Sequence, residues 1–233
     1  MADFEPPMDS NAEMLAHYRR RQSRIYQMLR PPLPLIPNKS EVPLPHCDGI
    51  RLFIGGAAGQ IPPGFLNVDM QPFPGVDVVA DVQSLPFADD SIAAIECDAV
   101  LEHVAQPTTA AAELLRVLKP GGYLHVVVPF CHPFHRYPAD YQRWTLPALR
   151  ILLPPSQCEV LAAGVRTGPT ATLLSFFCEY VRLLAPETLG KIAYAMANWL
   201  VWPLRYLDVW LNRKPNAHVL ANTLYILVTK RIG

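Results

Sequence analysis

Apolar positions along the chain follow two regimes. From Arg51 to Val128 they come in short runs, each closed by a glycine turn, a carboxylate or, after Val128, a proline. From Ala171 to Asn212 they extend over a long stretch with helical spacing. In the first region, Arg51–Ile54 is a strand candidate ending in Gly55-Gly56-Ala57-Ala58-Gly59. Phe65–Asp69, Val76–Asp81 and Ile92–Cys97 are the second, third and fourth, and Tyr123–Val128 is a fifth, apolar enough for burial on both faces. Thr108–Leu118 reads as a helix, with Pro107 before it and Gly121-Gly122 after Lys119-Pro120 as its stop. Thr145 is placed to cap a short helix to Leu153, and Glu159–Val165 and Thr223–Thr229 are further strands. This order predicts an α/β, Rossmann-like, mostly parallel sheet with crossovers.

The flanks read differently. Ser10 and Glu13 have capping-box spacing and open a helix to about Leu29, with Met14, Tyr18, Ile25 and Leu29 near one face. Arg19, Arg20, Arg21 and Arg24 cluster on that helix, and a solvated face is the plain reading. Pro31–Pro45 holds six prolines and reads as an extended arm. The expected division is an N-terminal helix and arm over 1–46 and one domain over 47–233, with a helical insertion at 169–213 before the last strand.

Composition sharpens this. The formal net charge is zero, which leaves no single-sign field for a polyanion and disfavours nucleic acid as a partner. Charged residues are 17% of the chain, below the usual value of about 25%. Mean hydropathy is +0.14, so a large apolar surface is expected. Five cysteines without a C-x-x-C pair read as free thiols in a reducing, cytoplasmic setting. Met1–Ser10 lacks the apolar stretch of a signal peptide, and Ile192–Leu204 is too short to span a bilayer.

In open α/β sheets, ligands bind beyond the carboxyl ends of the strands. There the sequence puts the turn Gly55, Gly56 to Gly59, then Asp69 with Met70 beside it, Asp81 with Val82, and Asp98. A carboxylate at the end of the second strand can accept hydrogen bonds from ribose hydroxyls. Asp81 suits an adenine amino group, with Val82 adding backbone and apolar contact. Three carboxylates on successive strand ends disfavour a pyrophosphate and favour a ligand with positive charge, such as a sulfonium. Each carboxylate alone could equally be a turn former.

Together the segments Gly55-Gly56, Asn67-Val68-Asp69, Ala80-Asp81, Leu85-Pro86-Phe87-Ala88-Asp89-Asp90-Ser91, Leu101-Glu102-His103-Val104 and Leu118-Lys119-Pro120-Gly121-Gly122 resemble the class I methyltransferases, most of all the methyltransferase type 11 group. The resemblance covers about 100 residues in a domain of ordinary size. It implies a seven-stranded sheet with the last strand antiparallel and S-adenosylmethionine as cofactor. It places Gly55 to Gly59 under the methionine part, Asp69 at the ribose, and Asp81 with Val82 at the adenine. Three departures stand out: Phe53 in place of an acidic residue, Ala57 in place of the second glycine, and Pro62-Pro63-Gly64 where a full first helix normally runs.

Methyl transfer from a sulfonium mainly needs positioning and exclusion of water, and a base only for an acceptor of high pKa. His103 and His135 are the candidate bases, with His132 beside the latter. Cys131, His132 and His135 lack zinc-site spacing, so no metal is expected. Asp140 and Arg143 are expected to pair and fix their loop. The resemblance implies that this loop borders the acceptor pocket. The aromatic segment Ala171–Asn212 reads either as a cover on the sheet edge or a homodimer face, or as an interfacial helix pair at a membrane. Sugars, lipid-linked hydroxyls and small metabolites stay open as acceptors, and resembling proteins occur in glycan and lipid-linked sugar pathways. The rival functions are a catalytically silent scaffold and an NAD(P)-binding oxidoreductase; Pro62-Pro63-Gly64 speaks against the latter.

Overall fold

The computed structural model describes residues 11–24, 28, 41–57, 61–136 and 138–232. Gly59, Ser10, Ile25, Leu29 and residues 31–40 of the arm lie outside them.

Seven strands form one sheet: β1 (Arg51–Ile54), β2 (Leu66–Asp69), β3 (Val78–Val79), β4 (Ile92–Asp98), β5 (Leu118–Pro129), β6 (Cys158–Thr167) and β7 (Thr223–Lys230), in the order β3-β2-β1-β4-β5-β7-β6. The pairs β1–β2, β1–β4, β2–β3 and β4–β5 are parallel. The direction of β7 follows from bonds at its two ends. Asn222 donates to the carbonyl of Thr167, at the end of β6, and Arg231 donates to that of Gln157, just before β6. Phe130 and Cys131, just after β5, donate to Asn222 and Ala221, just before β7. Numbers running oppositely mark antiparallel pairs, so β7 is inserted antiparallel between β5 and β6.

The sheet is held by burial of both faces. Leu52, Val68, Ile95, Leu124 and Val126 on one face have no exposed surface, and Ala94 and Val127 on the other are buried as well. Helix α1 (Asn11–Gln22) precedes the sheet, with Met14 buried and Arg19, Arg20 and Arg24 exposed. Helix α2 (Pro107–Val117) takes Pro at its first turn and buries Ala110, Ala111, Leu114, Leu115 and Val117. The turn Leu85–Ser91 is pinned from this helix: Leu85 donates to Glu113 at 2.7 Å, and Arg116 donates to the Phe87 carbonyl at 2.9 Å. Helix α3 (Leu146–Leu152) is capped by Thr145, whose hydroxyl accepts from Ala148 at 3.3 Å.

Two strand boundaries differ from the periodicity. β3 covers only Val78–Val79 rather than 76–81. It lies at the sheet edge, between the Pro74-Gly75 turn and a turn formed by Asp81. Lys119-Pro120-Gly121-Gly122 does not end α2 as a separate loop but opens β5. The register shift between Ile92 and Ala94, opposite Leu118 and Tyr123, absorbs this irregular start.

By contact density the chain forms two units. One comprises Glu41–Pro129, Asp140–Gly164 and Leu224–Gly233 and contains the body of the sheet. Within it the arm is tied down at Val42, whose N–H donates to the buried Tyr225 hydroxyl at 3.2 Å. The other comprises Met1–Ser40, Phe130–Ala139 and Val165–Thr223. It holds helices α4 (Pro169–Leu183), α5 (Glu187–Val201) and α6 (Asp208–Leu211). Leu174 and Cys178 of α4 pack with Ala197 and Val201 of α5. No helix among the described residues is long and apolar enough to cross a membrane.

Candidate cofactor site

The register aligns the carboxyl ends of the first strands: Ile54 lies opposite Val68 on one side and Cys97 on the other, and Asp69 opposite Val79. The chain past β1 therefore turns between the ends of β2 and β4. Gly55 makes that turn at φ +80, and its N–H donates to Val68 at 2.9 Å. A Cβ there would come within 2.2 Å of Val100, so only glycine fits. Ala57, in place of the family's second glycine, sits at φ 45, a conformation non-glycine residues rarely adopt.

What holds Ala57 there is a pair of side chains on β2. Its N–H donates to Asp69 Oδ2 at 3.0 Å. Its carbonyl accepts from Asn67 Nδ2 at 2.8 Å, and the same amide group donates to the Gly75 carbonyl at 2.9 Å. Asn67 is buried, and its own N–H is bound by Asp77 Oδ2 at 2.8 Å. Asp69 Oδ1 also accepts from Gln71 at 2.9 Å. Burial raises the Asp69 pKa, and the N–H groups of Gln71, Ala57 and Met70 oppose the shift. These three donors leave about one of the carboxylate's roughly four lone-pair directions for a further donor. Sequence reasoning gave Asn67 no role beyond its place in the Asn67-Val68-Asp69 segment and did not mark Asp77, although asparagine inside a strand is itself a signal.

Around this turn the remaining residues sort clearly. Met70, past the end of β2, is 51% exposed and offers an open apolar surface. Asp81 is exposed and closes its own turn, accepting from Gln83 N–H at 2.8 Å. Val82, which follows Asp81, is buried, with 6% of its surface exposed. Asp98 ends β4 and is half-buried, and Ala99 follows in the left-handed region at φ 55. Gly55, Gly56, Asp69 and Asp98 thus stand together at the carboxyl ends of β1, β2 and β4.

A short 3-10 turn over Leu101–His103 follows. His103 Nε2 lies 3.7 Å from the Glu102 carboxylate, with the His side chain 14% exposed and the Glu side chain fully buried. Burial pushes the Glu102 carboxyl up to about 8, with Asp140 and Asp98 adding to the rise and Arg143 opposing it. The sequence marked His103 and passed over Glu102. The segment after β5 backs this turn: Tyr141 donates to the Glu102 carbonyl at 2.8 Å, and Gln142 donates to the carbonyls of Leu101 and Val104, each at 3.1 Å. Arg143 and Asp140 form the expected ion pair, and its geometry is bidentate, with one arm at 2.6 Å.

His135 belongs to the other unit. It is half-buried on the 130–139 loop, its ring 4.6 Å from and edge-on to that of His132.

The methyltransferase-domain family matches residues 60–126. A demethylmenaquinone methyltransferase of Renibacterium salmoninarum is 40% identical over 113 residues, which are 46% of this chain and 47% of that one. One of Streptomyces avermitilis is 34% identical over 143 residues, 58% of this chain and 57% of that one. The chain thus spans about half the length of the curated relatives it matches. Among solved structures, a chain from the complex of the Haloferax volcanii Trm112 methyltransferase activator with a candidate methyltransferase superimposes with a TM-score of 0.52 at 15% identity. That alignment covers 96% of this chain and 95% of that one. Residues 60–126 thus match the methyltransferase-domain family, and the strand order with its inserted antiparallel strand gives the chain a seven-stranded, Rossmann-like α/β fold.

Proposed function

We propose that the chain moves a methyl group from S-adenosylmethionine to a lipid-borne acceptor. The observation that carries the cofactor half is the turn at Gly55–Ala57 clamped to Asp69. It offers close backbone approach at Gly55, a carboxylate at the end of β2, open apolar surface at Met70, and a further carboxylate at Asp98. This donor and acceptor set fits a cationic sulfonium nucleoside. Gly55 and Gly56 would lie under its amino-acid part, Asp69 would accept from the ribose, and Asp81 with the Val82 backbone would border the adenine. When bound, the sulfonium supplies an activated methyl group and a good leaving group. The chain's task is then to orient the acceptor and exclude water.

His103 would take the proton of a hydroxyl acceptor. Glu102 beneath it is a positioning residue rather than a base, since burial keeps its carboxyl protonated at neutral pH. His135 is proposed as a second group on the acceptor side.

Two features support the lipid-borne class over free sugars and small metabolites. The relatives are named demethylmenaquinone methyltransferases, and segment 171–212 exposes large apolar side chains through which the enzyme would contact a membrane peripherally. Calorimetric titration with S-adenosylmethionine, S-adenosylhomocysteine and NAD tests the cofactor half: binding of the first two and not the third is expected, and no binding of either overturns it. Transfer of labelled methyl into the solvent-extractable lipid fraction of a cell extract tests the acceptor half. Label confined to the aqueous fraction refutes it.

A further inference from the structure

Helices α4 and α5 pack on each other through one face and carry an apolar stripe on the other. On α4 and its C-cap the exposed residues Leu173, Phe176, Phe177, Tyr180, Leu183 and Leu184 recur at intervals of three and four. On α5, Leu189, Ile192, Met196, Trp199 and Leu200 do the same, with Leu200 80% exposed. Such spacing puts each set along one side of its helix. A helix pair whose buried seam is Leu174, Cys178, Ala197 and Val201 has no further use for these stripes inside its own unit. Trp210 and Tyr206, farther along, are also about half exposed.

Charge is divided between the units although the chain totals zero. The sheet unit holds 7 Lys and Arg against 13 Asp and Glu, a net of −6, so the rest of the chain carries +6. Segment 165–223 alone has 6 basic and 3 acidic residues. Arg213 and Lys214 are exposed just past α6, with Lys214 lying 4.3 Å over the Trp210 ring.

We infer that this helical face docks on an anionic bilayer surface. Apolar stripes bordered by lysine, arginine and tryptophan suit the headgroup boundary, where the rings insert and the cations meet lipid phosphates. A second copy of the chain is a poorer occupant, because a twofold contact sets basic face against basic face. This deepens the lipid-borne reading above but does not rest on the cofactor, so the test is run without S-adenosylmethionine.

The full chain is floated with vesicles of phosphatidylcholine alone or with about a third phosphatidylglycerol. Binding to the anionic vesicles, at least tenfold weaker on the neutral ones, is expected. Trp199→Ser with Leu200→Ser, and separately Arg213→Glu with Lys214→Glu, should each weaken it at least tenfold while thermal melting stays within the wild-type range. Ile151→Ser, an exposed apolar residue of the sheet unit, should bind as wild type. No vesicle binding, equal binding to both lipids, or binding indifferent to both double variants overturns the inference. So does a wild-type dimer in light scattering that Trp199→Ser with Leu200→Ser dissociates.

Discussion

Glu102 offers the most exacting test of the site. Its side chain has no exposed surface, and burial lifts its pKa from 4.5 to about 8. The charged groups that act on it are Asp140 and Asp98, which raise the value, and Arg143, which lowers it; His103 lies 3.7 Å away. In the unfolded chain the carboxyl titrates at its ordinary 4.5. Between these two values the folded chain holds one proton more than the unfolded chain. Stability from this group is therefore fully present below 4.5 and is lost as pH rises through 8, at about 1.4 kcal/mol per pH unit. The whole window is worth at most about 5 kcal/mol, half of the usual stability of a domain.

Glu102→Gln replaces the carboxyl with an amide that is neutral at every pH. Urea unfolding of both proteins between about pH 5 and 9 isolates the contribution of Glu102, since all other groups titrate in both. Near pH 5 the two should differ by about 1 kcal/mol or less. Above pH 8 the variant should be the more stable by several kcal/mol. Parallel curves across the range would refute the assignment of a neutral buried carboxyl, and a stability difference of the opposite slope would mean that Glu102 is folded in its charged form.

Other consequences follow from single contacts. Asp69→Ala should weaken S-adenosylmethionine binding by about 1–3 kcal/mol in calorimetry, and an unchanged affinity would remove Asp69 from the site. Asn67→Leu strips two hydrogen bonds from the Ala57 and Gly75 carbonyls, and should cost about 2–3 kcal/mol of stability with a parallel loss of cofactor binding. Ala57→Gly relieves the positive φ and should stabilise by about 1 kcal/mol, measured as a rise in melting temperature; a fall would show the strain to be absent. Asp208→Ala leaves the first N–H groups of α4, Thr170 at 2.8 Å and Ala171 at 3.1 Å, without their carboxylate, and should cost about 1–2 kcal/mol, read by hydrogen exchange at α4.

The sheet was legible because its strands are short, apolar and closed by residues that cannot continue them. The Gly55 turn, Asp69 and Thr145 could be placed from position alone. The clamp around Ala57 could not, because it joins residues 10 to 12 apart through a turn whose geometry depends on a non-glycine in the left-handed region. Ala57 looked like a departure that weakens the glycine motif. Asn67 and Asp69 show how the departure is tolerated: one amide and one carboxylate hold both ends of the peptide. Glu102 was missed for a related reason. Sequence marks a histidine as a base by its residue type, whereas a glutamate acquires an unusual proton only from burial, which the pattern Leu-Glu-His-Val does not display.

Averages concealed the second unit most. A net charge of zero and a mean hydropathy of +0.14 describe neither half of the molecule. The sheet unit is acidic, which suits the cationic ligand proposed for the strand ends that carry Asp69 and Asp98. The helical remainder is basic and turns apolar stripes outward, against the rule that a helix in water hides them. Neither property pays for itself in isolation: repelled carboxylates and wetted leucines both destabilise. Their division along unit boundaries is what a methyltransferase would need if its cofactor comes from water and its acceptor from a membrane. The same division makes the two halves separable by experiment, since Asp69→Ala should leave vesicle binding intact and Trp199→Ser with Leu200→Ser should leave cofactor binding intact.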